Sequence, residues 1–124
     1  MTTVLVADDD ADIRELVAFK LEQTGVEVIA VGNGEDALDQ ARAHRPALAV
    51  LDVSMPGLSG IDVCRILRAD PATAAMSIII LTARVQERDV EGGFSAGADD
   101  YVTKPFSPRE LMSRIQAQLS RARA

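Results

Sequence analysis

The chain has 124 residues, 48% hydrophobic and 26% charged, so it is long enough for one domain with a buried core and too apolar to be disordered. Its net charge of −6 argues against sequence-independent nucleic-acid binding by this domain, because phosphate backbones require a basic surface. The single cysteine, Cys64, excludes an intrachain disulfide, and with no long apolar run and no signal-peptide pattern we expect a cytoplasmic protein without a membrane partner.

Five short segments rich in β-branched or aliphatic residues predict strands. The first four are apolar almost throughout, which is typical of strands covered on both faces of a parallel sheet. The fifth is shorter and more polar, so we expect it at an edge. The segments are TVLVA (3–7), VEVIAV (26–31), ALAVL (47–51), SIIIL (77–81) and DYVT (100–103).

Helical patterns lie between and after these strands. Apolar residues spaced by three or four give one face to each of four helices, the second only weakly. Ser107 and Pro108 have the residue types of an N-cap and a first helical position, so they predict where the last helix begins. The four faces are Ile13, Leu16, Val17 and Leu21; Ala37, Leu38 and Ala41; Ile61, Cys64 and Leu67; and Leu111, Ile115 and Leu119.

A further helix, roughly residues 85–96, has the weakest pattern. Gly92 and Gly93 lie in its middle, and each glycine costs about 1 kcal/mol relative to alanine. Two interpretations stay open. Either the glycines permit close packing or an early helix end, or they make the element soft enough to move.

Strand and helix therefore alternate five times, which predicts a (βα)5 α/β fold with a parallel sheet. Gly25, Asn33-Gly34, Pro46 and Gly97 fall at the expected turns. With no repeat and no linker, we predict a single domain over residues 1–124.

Several residues that follow the strands have useful chemistry. Asp8, Asp9 and Asp10 follow the first strand, and Asp52 follows the third. The carboxyl ends of parallel strands share one edge of the sheet, where ligands bind. Clustered carboxylates repel each other, and a divalent cation resolves the repulsion. Hard oxygen ligands without His or Cys suit Mg²⁺.

Thr82-Ala83 after the fourth strand and Lys104-Pro105 after the fifth add a hydroxyl donor and a positive charge. Carboxylate, Mg²⁺, lysine and hydroxyl are the parts needed to accept a phosphoryl group. Taken singly, each residue has a simpler explanation: Asp10 as a helix N-cap, Asp52 as a turn residue, Thr82 as a structural hydroxyl. Their joint occurrence at strand ends favours the functional interpretation.

These residues resemble the receiver domain of two-component response regulators, and the resemblance covers the whole chain. The resemblance implies a doubly wound five-stranded parallel sheet of order 2-1-3-4-5, the flavodoxin-like arrangement. The matching motifs are VLVADDD (4–10), LDVSMPGLSG (51–60), ILTA (80–83) and GADDYVTKPF (97–106).

The resemblance also implies a role for each residue at the acceptor. Asp52 is the phosphoacceptor. Asp9 ligates Mg²⁺ directly, Asp8 mainly through water, and Asp52 and the backbone carbonyl of Ser54 complete the metal ligands. Lys104 pairs with Asp52 and then with the phosphoryl oxygens.

A second group of residues is implied to transmit the change. Thr82 hydrogen-bonds the phosphoryl group and moves toward it, with the backbone amide of Ala83 contributing. Tyr101 is the switch aromatic and turns inward when Thr82 moves. Lys104-Pro105 is expected to be a cis peptide. The change then reaches the face made by the fourth helix, fifth strand and fifth helix, where the Gly92-Gly93 helix would help the switch.

The implied phosphodonor is a sensor histidine kinase or a histidine phosphotransfer protein, and the implied target is an output partner or an effector domain outside this chain. Dimerisation through the fourth helix, fifth strand and fifth helix is a further possibility in this family. Ser54 and Arg84 stand at positions that tune the aspartyl-phosphate lifetime. A stand-alone regulator and a receiver from a longer protein both remain open.

Three competing functions differ in their sequence requirements. A binding module that signals without phosphate usually lacks one or more of the five site residues present here. A Mg²⁺-dependent phosphohydrolase needs an acidic residue two positions after the nucleophile, where this chain has Ser54, and a substrate-covering cap. A flavodoxin-like FMN protein needs a hydroxyl- and glycine-rich phosphate loop, but the loop after the first strand is acidic. We therefore expect a signalling protein rather than an enzyme with turnover.

Overall fold

A computed structural model describes residues 2–83 and 96–123 of the chain. One parallel five-stranded sheet has its strands, numbered along the chain, in the order 2-1-3-4-5, which confirms the predicted topology. The predicted fourth helix, with Gly92 and Gly93, lies outside the described residues except at position 96. The strands are β1 Thr3–Ala7, β2 Glu27–Val31, β3 Leu48–Asp52, β4 Ser77–Thr82 and β5 Asp100–Thr103; the helices are α1 Ala11–Glu22, α2 Gly34–His44, α3 Gly60–Ala69 and a C-terminal helix, Pro108–Arg123.

Two apolar cores lie on opposite faces of the sheet, because successive strand side chains point to opposite faces. Leu5, Leu51 and Ile80 belong to the core that α2 and α3 cover. Val50 and Ile79 belong to the core that α1 and the C-terminal helix cover. The central strands are buried except at the first residues of β1 and β4, as near-continuous apolar runs predict.

Side-chain caps fix where the helices begin. Asp10 Oδ1 accepts hydrogen bonds from the backbone amides of Asp12 and Ile13, at 2.9 and 3.3 Å. The Ser107 hydroxyl accepts one from the amide of Glu110 at 2.9 Å. Both predicted caps are confirmed. β1 and β5 are thereby each followed within a few residues by a fixed helix start, which holds the connecting loop in place.

Two burial predictions are wrong. Leu16, assigned to the buried face of α1, is 41% exposed. Strand β2 is only partly covered, with Glu27 and Ala30 exposed, although its apolar sequence predicted cover on both faces. The strand order explains β2: it lies at an edge of the sheet and pairs only with β1.

Arg68 at the end of α3 binds residues in the segments that precede β4 and β5. Its guanidinium donates hydrogen bonds to the carbonyl oxygens of Gly97 and Ala74, at 2.8 and 2.9 Å, and to that of Met76. It also pairs with Asp99 Oδ2 at 2.8 Å. These bonds connect α3 to the segments that lead into β4 and β5.

We expect Arg68→Ala to lower the free energy of unfolding by about 2 kcal/mol, because charge-assisted hydrogen bonds are among the stronger ones. Urea denaturation measures this change. Arg65→Ala, at an exposed position of the same helix, is the matched control and should change stability by less than about 0.5 kcal/mol. Equal decreases in the free energy of unfolding of the two variants would contradict a stabilising role for the hydrogen bonds of Arg68.

Candidate functional site

The carboxyl ends of β1, β3, β4 and β5 bring four predicted residues to one edge of the sheet. Asp8 follows β1, Asp52 ends β3, Thr82 ends β4 and Lys104 follows β5. Asp8, Asp52 and Thr82 are 0%, 3% and 2% exposed. Three polar groups buried together at the end of an apolar sheet need compensating partners, since burial penalises charge.

The position of Asp8 is set by the strand before it and the helix after it. Its backbone amide donates to the carbonyl of Val31 at 3.1 Å, which extends the pairing of β1 with β2. Its Oδ1 accepts a hydrogen bond from the amide of Asp10 at 2.9 Å, and its Oδ2 accepts one from Lys104 Nζ at 2.8 Å. Asp9, which lies between Asp8 and Asp10 in the sequence, is exposed.

Asp52 is held by the sheet on one side and by the start of α3 on the other. It is the last residue of β3 and pairs in register with Leu81 of β4. The amide of Ser54 donates to Asp52 Oδ1 at 3.4 Å. A Cβ at Gly60 would lie 2.3 Å from the Asp52 carbonyl oxygen, so only glycine permits this close approach of α3.

Lys104 is the cation of the site. Its amide donates to the Thr82 carbonyl at 2.6 Å, and the predicted cis peptide between Lys104 and Pro105 is present. Its Nζ lies 2.8 Å from Asp8 Oδ2 and 3.4 Å from Asp52 Oδ1. The sequence predicted a pairing with Asp52. The structure adds Asp8 as the nearer partner.

The pKa of Asp52 is strongly perturbed by its surroundings. Burial, together with the charge of Asp8, raises the pKa of Asp52 from 3.8 to about 7, although Lys104 and the Ser54 amide act in the opposite direction. Burial lowers the pKa of Lys104, but its hydrogen bond to Asp8 and the charges of Asp52 and Asp8 outweigh burial and raise it above 10.5. A cation beside Asp52 would favour its charged form.

The donor set fits such a cation. One carboxylate oxygen from each of Asp8, Asp9 and Asp52 lies within 4.8 Å of the other two. All three are hard oxygen donors, and the two buried carboxylates repel each other, as the raised pKa of Asp52 reflects. This set matches the oxygen preference of Mg²⁺, which binds through few carboxylates and retains waters.

The other predicted residues lie in the loops after β3 and β4, on β5, or outside the described residues. Ser54 and Ala83 are exposed in the loops after β3 and β4. Tyr101 on β5 is partly buried against the core covered by α2 and α3, and its hydroxyl oxygen is inaccessible to solvent. Arg84 lies outside the described residues. The metal contact of Ser54 and the switching roles of Thr82, Ala83 and Tyr101 stay predictions.

Arg14 is a site residue that the sequence analysis missed. Its Nη1 donates to the Asp8 carbonyl at 2.9 Å, and a Cβ at Gly32 would lie 2.9 Å from the same nitrogen. Arg14 therefore joins α1 to the loop that carries Asp8. An arginine one turn into an amphipathic helix has no distinguishing sequence signal, so only the packing of α1 reveals this contact.

The comparisons with known proteins agree with this geometry. The family model described as response regulator receiver domain matches residues 4–116. The DNA-binding response regulator MtrA of Mycobacterium tuberculosis is 45% identical over 118 residues, covering 95% of this chain and 50% of MtrA. Along the described residues, no helix is long and apolar enough to cross a bilayer.

Solved structures agree as well. The BeF3-activated receiver domain of DrrB, from Thermotoga maritima, has a TM-score of 0.88 at 38% identity, covering 97% of this chain and 98% of that one. Chemotaxis response regulator CheY4 of Vibrio cholerae has a TM-score of 0.89 at 30% identity, covering 95% and 98%. The chain spans about half the length of the curated relatives it matches. It belongs to the response-regulator receiver domain family of two-component signalling.

Proposed function

We propose that Asp52 accepts a phosphoryl group in a Mg²⁺-dependent reaction. The observation that carries this proposal is the placement of the Asp52 carboxylate, which is 3% exposed, 3.4 Å from Lys104 Nζ and within 4.8 Å of ligand oxygens from Asp8 and Asp9. One anionic oxygen thus lies among groups that bind either a cation or phosphoryl oxygens.

The chemistry is a displacement at phosphorus. An Asp52 carboxylate oxygen bonds to phosphorus as the bond from phosphorus to a histidine nitrogen, or to the leaving oxygen of acetyl phosphate, breaks with its electron pair. Mg²⁺, held by Asp8, Asp9, Asp52 and the Ser54 carbonyl, would neutralise charge on the transferred group. Lys104 would keep its proton. Its Nζ would exchange the contact with the Asp52 carboxylate for a contact with a phosphoryl oxygen and so remain in the site.

Thr82 and the Ala83 amide would hold the transferred group and report its arrival. Thr82 is the last residue of β4, and its backbone carbonyl accepts a hydrogen bond from the Lys104 amide at 2.6 Å. The same sheet therefore positions Asp52, the Thr82 hydroxyl and Lys104. Movement of Thr82 toward the phosphoryl group would turn Tyr101 on β5 and alter the face formed by the fourth helix, β5 and the C-terminal helix. Phosphate would bias a pre-existing equilibrium of that face.

The phosphodonor would be a sensor histidine kinase or a histidine phosphotransfer protein. An exposed apolar surface suits such a partner: Leu16 and Phe19 on α1 are 41% and 59% exposed, and Leu16 lines a groove with Lys104 and Pro105 beside the acceptor. The altered face would act on an output partner or an effector domain, or would dimerise. In this role the chain catalyses only its own phosphorylation and dephosphorylation.

The test is phosphorylation by acetyl phosphate with Mg²⁺, scored by intact mass. Wild type should gain one phosphoryl group, and chelation or Asp52→Ala should abolish the gain. Asp39→Ala, at an exposed position of α2, is the matched control and should gain as wild type does. No gain in wild type, repeated with a histidine-phosphorylated donor, would reject the proposal and favour a phosphate-independent interaction module.

A further inference from the structure

A cavity of about 470 Å³ opens at the edge of the sheet opposite Asp52. Pro46 and Ala47 before β3, and Met76 and Ser77 at the start of β4, line its inner part. In parallel strands the amino ends lie at the edge opposite the carboxyl ends, so this cavity is separate from the acceptor. Its volume falls in the range of small-molecule sites.

Two arginines give the cavity a positive rim. Arg45 at the end of α2 and Arg121 in the C-terminal helix both line it and are exposed, and neither forms an ion pair with any residue in 2–83 or 96–121. The lining also contains Asp99, whose carboxylate is already bound by Arg68 and by the Ile78 amide, each at 2.8 Å. The positive charge of these two arginines contrasts with the net charge of −6 of the whole chain.

Gln118 adds a polar group that lacks a partner. Its side chain lines the cavity, is only 4% exposed, and makes no hydrogen bond to any residue that the structure describes. The amide atoms of Gln118 are not among the solvent-inaccessible side-chain atoms without a hydrogen bond, so solvent reaches them. They can therefore hydrogen-bond water or a ligand in the cavity that Gln118 lines.

Most of the remaining lining is apolar, with Thr73 and Ser77 as its polar members. Pro71, Ala72, Ala75 and Met76, from the segment between α3 and β4, supply much of this apolar lining. Sites for small organic molecules combine such walls with a few convergent polar groups. A bare inorganic anion would leave these walls unfilled.

We propose that this cavity binds a small organic carboxylate. Its carboxylate would lie between Arg45 and Arg121, whose planar guanidinium groups suit a two-oxygen anion. Its carbon body would lie against the apolar walls, and Gln118 would hydrogen-bond a polar atom of the ligand. This site is independent of phosphorylation at Asp52.

The test is titration of the ¹⁵N-labelled chain by NMR with benzoate as the probe, and with benzamide and inorganic phosphate as comparison compounds. Benzoate should produce saturable shifts at amides of the cavity lining, whereas benzamide and phosphate should bind at least about fivefold more weakly. Scattered, non-saturating shifts with benzoate, or equal affinity for phosphate, would overturn the proposal.

Variants of the lining residues test whether benzoate binds in this cavity. Arg45→Gln with Arg121→Gln should weaken benzoate binding at least about tenfold, and Gln118→Leu should weaken it by a smaller factor. Arg109→Gln, an exposed arginine outside the lining, is the matched control and should leave affinity unchanged. Thermal unfolding of each variant checks that it remains folded. Wild-type affinity in the folded double arginine variant would overturn the proposal.

Discussion

Asp52→Asn is expected to stabilise the metal-free chain by up to about 4 kcal/mol at pH 8, because one unit of pKa corresponds to about 1.4 kcal/mol. The folded state raises the pKa of Asp52 from 3.8 to about 7, so it holds the charged carboxylate less well than the unfolded chain does. Asparagine removes that charge and retains an oxygen for the Ser54 amide. Urea denaturation in a chelator measures the difference.

The pH dependence has a definite sign. Between pH 3.8 and about 7 the folded chain binds the Asp52 proton more tightly than the unfolded chain, so wild type loses stability as pH rises through this window. Asp52→Asn lacks this contribution. Its advantage over wild type should therefore be near zero at pH 4 and complete above pH 7. An advantage independent of pH would contradict a raised pKa.

Mg²⁺ should reduce the stability advantage of Asp52→Asn over wild type. A cation that binds the folded state stabilises it by an amount that rises with the logarithm of its concentration relative to its dissociation constant, and Asp52→Asn removes one of three carboxylates that could bind it. Wild type should gain stability as Mg²⁺ is added, and Asp52→Asn should gain much less. Asp39→Asn should behave as wild type. An equal gain in Asp52→Asn would place Mg²⁺ elsewhere.

Lys104→Gln is expected to lower the free energy of unfolding at pH 8 by roughly 3 kcal/mol, because it leaves buried carboxylates without their cation. Asp8 is fully buried and bonds Lys104 Nζ at 2.8 Å, and Asp52 lies 3.4 Å from the same nitrogen. The loss should shrink toward pH 5, where Asp52 takes up a proton and one negative charge disappears. Urea denaturation at the two pH values measures both effects.

Lys20→Gln in α1 is the control for Lys104→Gln, since it changes the same residue type away from both carboxylates. We expect it to change stability by less than about 0.5 kcal/mol. Lys104→Gln should cost less stability in the Asp52→Asn background than in wild type, because only Asp8 then lacks a cation, so the double variant should be more stable than the sum of the single effects predicts. Strict additivity would show that Lys104 and Asp52 do not interact.

Local patterns were sufficient for most of the fold. Apolar runs predicted all five strands to within one residue, and Asp10 and Ser107 predicted two helix starts, because caps and buried parallel strands depend on residues close in sequence. The strand order came from the family resemblance rather than from periodicity. Leu16 was misassigned because helical spacing identifies an apolar stripe without showing which part of it a neighbouring element covers.

The sequence by itself determined the residue types of the candidate site and the edge of the sheet where they meet. Asp8, Asp9, Asp52, Thr82 and Lys104 each stand at a strand end, and parallel topology brings strand ends together. The tertiary structure alone decided how they interact: that Lys104 lies nearer Asp8 than Asp52, that Arg14 holds the Asp8 carbonyl, and that Arg45, Gln118 and Arg121 share a cavity. The physical reason is that pKa values and ion pairs depend on distances and burial between segments remote in sequence, whereas strand and helix signals are carried by neighbouring residues.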